Sequence, residues 1–265
     1  MRNSFRRARI TGLIVASCWA QNGLVAQQTD STPPLRDSVP VYTPRTLPSQ
    51  RPAPAQIRWY HIGAGLGLIA LSSAVDESLR DKLQAHRSSG KDDVATAFRH
   101  VGQPEVYGVV GLGTIAVGLI SGNDRVRLAG ERISAGLLTA AAAVSVLKEA
   151  VGRQRPISTT NAFRFKPFSG RDSWPSGHAT MAFALAAGVA DEVHNPVATV
   201  GLYSAASLTA WSRLNDNKHW LSDVLAGAAV GITSARLMSG RWKVLGIGAP
   251  RFLFAPGEVG VSLGL

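Results

Sequence analysis

The 265-residue chain holds a single cysteine, Cys18, so a disulfide within one copy is excluded. It is sparing with charge. Asp, Glu, Lys and Arg make up 17% of it against 45% hydrophobic residues, a balance that excludes a disordered chain and supplies an ample core. Acid is scarcer than base: the formal net charge is +11, and no Asp or Glu precedes Asp30. Such a surplus points to an anionic partner (nucleic acid, anionic lipid or phosphate ester) without choosing among them. Basic residues are not interleaved with aromatics, so nucleic acid has only the net charge in its favour and is not expected. The sequence also lacks a carboxylate cluster or a spaced His/Cys set that would hold a divalent ion, and no metal or cofactor is expected. His61, His86, His100 and His194 stand without such company and read as structural or exposed. There is no internal repeat. Unbroken apolar runs are short as well: a membrane span needs ~20 predominantly apolar residues, yet the segment at 61–75 runs into Asp76 and Glu77 and the fourth apolar segment runs into Asp191 and Glu192.

What is present falls into four parts. Arg2, Arg6, Arg7 and Arg9 precede the apolar stretch I-T-G-L-I-V-A-S-C-W-A, with small residues near Ala20 and Ala26. Residues 1–26 therefore read as an export signal. V-A-S-C resembles a lipoprotein box in which Cys18 would carry lipid; a chance cysteine in an apolar region is the plainer reading. Residues 27–57 are polar and Pro-rich, an extended tether. Residues 58–240 hold apolar segments at about 61–75, 105–121, 133–150, 178–191, 196–212 and 220–238, rich in Ala, Gly, Leu and Val. A polar, amphipathic piece, D-E-S-L-R-D-K-L-Q-A-H-R, lies between the first two. The expected fold class is all-α, a helical bundle of about six core helices, with 105–121 the best span candidate and 220–238 the next. Residues 241–265 read as an irregular or short-strand tail.

Three clusters carry chemistry. In K-E-A-V-G-R-Q-R-P, Lys148 and Arg155 are close to two helical turns apart and could share a helix face ahead of Pro156. Two cations also suit an ordinary helix C-terminus. In P-S-G-H, Ser176 reads as a helix N-cap. A helix N-terminus also offers unpaired N–H groups to an anion, Gly177 permits close approach, and His178 can exchange a proton beside it. In S-R-L-N-D-N-K-H-W-L-S-D, Arg213 is followed by His219 and Asp223. Four residues apart on a helix, Asp223 would hold one imidazole nitrogen and leave the other lone pair free, as a nucleophile requires. Singly, each cluster has a plain structural explanation. Together, three cations, a Ser-Gly helix start and two histidines suit a tetrahedral oxyanion.

The three clusters, K-x6-R-P, P-S-G-H and S-R-x5-H-x3-D, resemble the signature of the type 2 phosphatidic acid phosphatase and vanadium haloperoxidase superfamily over about residues 60–238. The resemblance implies a metal-independent phosphatase with its active site at one end of the bundle. His219 would be the nucleophile and form a phosphohistidine, Asp223 would orient it, and His178 would be the general acid. Lys148, Arg155, Ser176, Gly177 and Arg213 would bind the phosphate. Phosphorylated lipids, including diphosphates, are the first substrate class it implies, soluble phosphate esters (as for secreted acid phosphatases) the second. A vanadate-dependent haloperoxidase is a remoter reading, since such members are usually much longer. In six-span members the motifs face outward from a cytoplasmic N-terminus. A cleaved signal would reverse that parity unless one helix does not span. With segments this short, an exported domain, periplasmic or membrane-associated, is expected ahead of an integral inner-membrane protein.

Overall fold

The computed structural model describes residues 53–255 and 258–263. The expected export signal, Cys18 and most of the tether lie outside the described residues. The fold is all-α. Eight α-helices occur among the described residues: α1 (Trp59–Ser73), α2 (Asp76–Ala85), α3 (Ser89–Val101), α4 (Pro104–Ile120), α5 (Asp124–Val151), α6 (Gly177–Val193), α7 (Pro196–Asn215) and α8 (Leu221–Met238). Local chemistry sets their ends. Asn123 accepts hydrogen bonds from the Arg125 and Val126 N–H groups at the start of α5. Asn195 caps α7 through the Ala198 N–H, with Pro196 at its first position.

α6 lies at the centre, packed on α5, α7 and α8; α4 packs on α5, α3 on α7 and α1 on α8. The contact faces are built from small residues. Ala179, Ala182, Ala184, Ala186 and Ala187 of α6 are buried, as are Ala226 and Ala235 of α8. Side chains this small let backbones approach closely. At Gly231 of α8, an added Cβ would collide with the Thr180 carbonyl oxygen of α6. Gly231→Val should therefore force the two helices apart and lower stability by about 1–3 kcal/mol, read as a fall in Tm of the detergent-solubilised protein. Larger side chains fill the other flank, where Tyr107, Ile133 and Leu137 meet Ala140 and Ala184.

The outer surface is apolar in places where a water-soluble bundle would be polar. α1 buries none of its residues, and Leu66, Leu68 and Leu71 are exposed. So are Val109, Leu112, Val117, Leu119 and Ile120 of α4, and Leu138 and Val146 of α5. Among the described residues three helical stretches are long and apolar enough to cross a membrane: Ser89–Ile120, Asp124–Val151 and Leu221–Met238. α1 and α2 pass the same test as a pair broken by a 52° bend. The segment at 220–238 coincides with the last of these, whereas those at 105–121 and 133–150 understated the other two. The apolar segment at 133–150 is the inner part of α5, which begins at Asp124 and runs for 28 residues, about 42 Å at 1.5 Å per residue. These surfaces are those of a membrane-associated protein.

Strands are few. Ala55–Ile57 (β1) pairs in parallel with Trp242–Val244 (β2), so the last residues assigned to the tether dock beside the chain emerging from α8. Pro250–Ala255 (β3) and Glu258–Leu263 (β4) form an antiparallel pair.

Candidate active site

The ends of α5, α6, α7 and α8 that carry the three motifs converge. α5 stops earlier than Pro156 suggests. Gly152 adopts the left-handed conformation (φ 57°) and its N–H returns to the Lys148 carbonyl, a helix stop that glycine makes without strain. A Cβ there would overlap the Lys166 carbonyl oxygen. Arg155 is therefore not on the helix face of Lys148, as the two-turn spacing suggested; it lies beyond the stop, ahead of a 3-10 turn at Pro156–Ser158. The loop that follows still brings the two cations together, on Asp172. Arg155 grips this carboxylate with two hydrogen bonds, Nε to Oδ1 at 2.8 Å and NH2 to Oδ2 at 2.6 Å. The Lys148 ammonium donates to the Asp172 backbone carbonyl and lies 3.8 Å from Oδ2. Burial works against the Asp172 charge, but Arg155 and Lys148 outweigh it and hold the carboxyl below its ordinary pKa.

The P-S-G-H stretch starts α6. Ser176 is the N-cap by position, yet its hydroxyl makes no capping hydrogen bond. Its backbone N–H donates to the Asp223 carbonyl at 2.9 Å, while Oγ is fully buried without a partner. At Gly177 a Cβ would meet only Lys148 Cε and Val144 Cγ1, both at 3.9 Å. Packing therefore does not demand glycine here, and the space beside the N–H stays open. His178 follows, half-buried. Burial, then the charges of Arg213, His219, Arg155 and Lys148, push its pKa down to about 4.

His219 is buried, and burial lowers its pKa despite the counteracting Asp223 carboxylate. It does not share a helix with Asp223: α8 begins at Leu221, and His219 lies in the turn before it. The expected i,i+4 grip is accordingly looser than the spacing implied. His219 Nδ1 lies 2.8 Å from the Ser173 carbonyl oxygen and 3.5 Å from Asp223 Oδ2. Both partners are acceptors, so Nδ1 carries the proton, and in the neutral ring Nε2 keeps its lone pair. Asp223 holds the surroundings instead. Its Oδ2 accepts from the Trp220 N–H at 2.9 Å, capping α8, and from the Ser173 hydroxyl at 2.6 Å. Both the residue whose carbonyl aligns His219 and the turn that presents it are thus tied to one carboxylate.

Behind Asp223 is a buried ion cluster that sequence reasoning missed. Arg153 donates from NH1 to Asp223 Oδ1 at 2.6 Å and from NH2 to Asp76 Oδ2 at 2.8 Å. Ser222 bridges the two, donating from Oγ to Asp76 and accepting from Arg153. Arg153, Asp76 and Asp223 are each 1% exposed or less. Arg153 sat in view inside K-E-A-V-G-R-Q-R-P and Asp172 just before W-P-S-G-H, so adjacency to the motifs was their signal; Asp76, at the start of α2, had none. Arg213, in the last turn of α7, pairs with Asp216 at 3.1 Å, and its carbonyl accepts from the His219 N–H at 3.3 Å. Among the described residues no three His, Cys, Asp or Glu side chains form a group suited to a metal ion.

The geometry agrees with what the chain is similar to. Residues 132–243 match the PAP2 superfamily model. They include all eight motif residues from Lys148 to Asp223. A lipid A 1-phosphatase of Porphyromonas gingivalis is 41% identical over 101 residues, 37% of this chain and 20% of that protein. The chain thus spans about a fifth of the length of that relative. Two solved structures share the fold. The crystal structure of Aquifex aeolicus LpxE has a TM-score of 0.50 at 20% identity, over 62% of this chain and 94% of that one. The transmembrane PAP2 type phosphatidylglycerolphosphate phosphatase of Bacillus subtilis has a TM-score of 0.52 at 21% identity, over 68% and 95%.

Proposed function

We propose that this protein is a phosphatase of lipid phosphates that works through a phosphohistidine at His219 and needs no metal ion. The observation that carries the reading is the His219 environment: Nδ1 faces only acceptors, so Nε2 is the nucleophilic atom. Lys148, Arg155 and Arg213 neutralise the phosphoryl group, while the Ser176 hydroxyl and the Gly177 N–H bind its oxygens. Nε2 attacks phosphorus and the ester P–O bond breaks. His178 gives its proton to the departing alkoxide. Water then attacks phosphorus, His178 takes the water's proton, and the P–N bond breaks to free inorganic phosphate and His219. Asp223, through Ser173 and the Trp220 turn, keeps the ring aligned.

The pKa directions fix a sign. His178, pushed down to about 4 by burial and then by the cations around it, is too weakly basic to hold the proton it must donate. A bound dianion would offset the cations that depress it and raise its pKa. Sulfate, a tetrahedral oxyanion that is already a dianion throughout this range, should therefore bind with proton uptake between about pH 4 and neutrality, measured by calorimetry in buffers of different ionisation enthalpy. Binding with no uptake would remove His178 as the acid. His219 must be neutral to attack, and its lowered pKa places the acid limb of kcat/KM below the ordinary histidine value.

Exposed apolar helices and the lipid A 1-phosphatase relative support a lipid substrate. The test is phosphate release, with EDTA present, from a short-chain lipid phosphate and a soluble aryl phosphate side by side. A clear preference for the lipid is expected; equal rates would make the protein a general phosphatase. A site on the periplasmic side fits the N-terminal export signature provided that one helix does not span; were every helix to cross, a cleaved signal would put the motifs on the cytoplasmic side. A cysteine placed at exposed Thr160, in a background with Cys18→Ala, should then react with a membrane-impermeant thiol reagent in cells with a permeabilised outer membrane.

A further inference from the structure

Between Arg155 and Asp172 the chain makes a loop that the reading above does not use. From Val151 to Arg171 it contains no acid. Phe163, Phe165 and Phe168 are exposed, at 59%, 47% and 80%, and Ile157 at 53%. Arg164 and Lys166 alternate with these phenylalanines and are exposed too. With Arg171, their side chains have no ion-pair partner among the described residues. The loop is firmly held. The Gln154 N–H donates to Arg164 and the Lys166 N–H to Gly152, both at 2.9 Å, and the Phe168 N–H donates to Glu149 at 2.8 Å. Phe168 has a φ of 55°, a conformation uncommon outside Gly, Asn and Asp, and it turns the most exposed ring of the loop outward. Exposed aromatics on so fixed a backbone are a surface built for contact.

Neighbouring structure identifies the partner. Phe163, Phe165 and Trp174 face Leu66, Ile69 and Ala70 of α1 across an open cavity of about 320 Å³. On that helix Leu66, Leu68 and Leu71 are themselves exposed, so the apolar side of the loop continues an apolar helix surface. At the other end of α1 stand exposed Trp59 and Tyr60, the aromatic pair expected where a helix meets a membrane interface. Exposed rings alternating with cations that have no ion-pair partner among the described residues match the boundary between acyl chains and anionic headgroups.

We propose that the loop from Pro156 to Arg171 is a membrane-interface anchor that seats the mouth of the site on an anionic lipid leaflet. Phe163, Phe165 and Phe168 enter the acyl boundary, one acyl chain occupies the cavity beside α1, and Arg164, Lys166 and Arg171 meet lipid phosphates. The inference rests on the membrane association of the helices and not on turnover. A depth measurement therefore tests it whether or not the phosphatase reading holds.

The experiment uses the full chain with Cys18→Ala and Phe168→Cys, labelled with an environment-sensitive fluorophore and reconstituted in lipid nanodiscs. Bromine-labelled acyl chains should quench the label, and more strongly in phosphatidylglycerol-containing discs than in pure phosphatidylcholine. Arg164→Gln and Lys166→Gln should each reduce that lipid-dependent preference about fivefold. A label quenched by aqueous iodide as well in nanodiscs as in detergent, and untouched by brominated chains, would overturn the proposal. So would quenching by lipid that is the same with and without phosphatidylglycerol. Phe168→Ser should raise KM for a lipid phosphate presented in anionic vesicles by several-fold and leave the rate on a soluble ester unchanged.

Discussion

His219→Ala is expected to abolish catalysis while sparing substrate binding. Removing a nucleophile that forms a covalent intermediate lowers kcat by roughly 10⁴-fold or more. Lys148, Arg155, Arg213 and the α6 N-terminus remain in the variant, so inorganic phosphate should bind it much as it binds the parent. His178→Ala should behave differently. Loss of a general acid lowers the rate roughly 10²–10⁴-fold, and the loss should shrink for an aryl phosphate, whose leaving oxygen needs no proton. Steady-state kinetics on an alkyl and an aryl ester separate the two roles. A His219→Ala protein that still turned over within tenfold of the parent would remove His219 as nucleophile.

The second large effect lies behind the site. Arg153 is the shared partner of Asp76 and Asp223, all three buried. Arg153→Met leaves two carboxylates facing each other in a dry interior. Breaking a buried pair of this kind costs about 3–5 kcal/mol, visible as a large fall in Tm. Activity should fall with it, because Asp223 holds both Ser173 and the Trp220 N–H, and these set the His219 ring. Arg153→Lys keeps the charge but not the planar fork that reaches both carboxylates. It should recover part of the stability and little of the activity. If both variants melted at the parent's Tm and turned over at its rate, the cluster would have no bearing on His219.

Much of this was legible in the sequence, for different reasons in different places. The helices were visible because apolar residues recur at helical spacing and because Gly, Asn and Pro break the pattern at S-G-N-D and H-N-P. The candidate site residues stood out because a phosphate site would need cations, a helix start and histidines, and the three motifs supply them in fixed spacings. What spacing could not supply was the backbone path between them. Lys148 and Arg155 looked like one helix face, but Gly152 ends α5 before the second of them. His219 and Asp223 looked like an i,i+4 pair, but the helix begins between them, and a carbonyl from Ser173, 46 residues away, takes the closer position. Asp76 was hidden for the same reason. It joins the cluster through tertiary packing, 77 residues before Arg153, and no local pattern marks it. The length of α5 was understated because its polar first turns lie on the same helix as its apolar part.

The central claim is that phosphate is transferred to His219. The most direct measurement is to mix the protein with a lipid phosphate carrying labelled phosphorus, quench in base within a single turnover, and locate the label by mass spectrometry of the digested chain. The account predicts a phosphorylated His219 that appears before inorganic phosphate and is absent from His219→Ala. Full phosphate release with no phosphorylated histidine at any time point, or with the label on another residue, would contradict it.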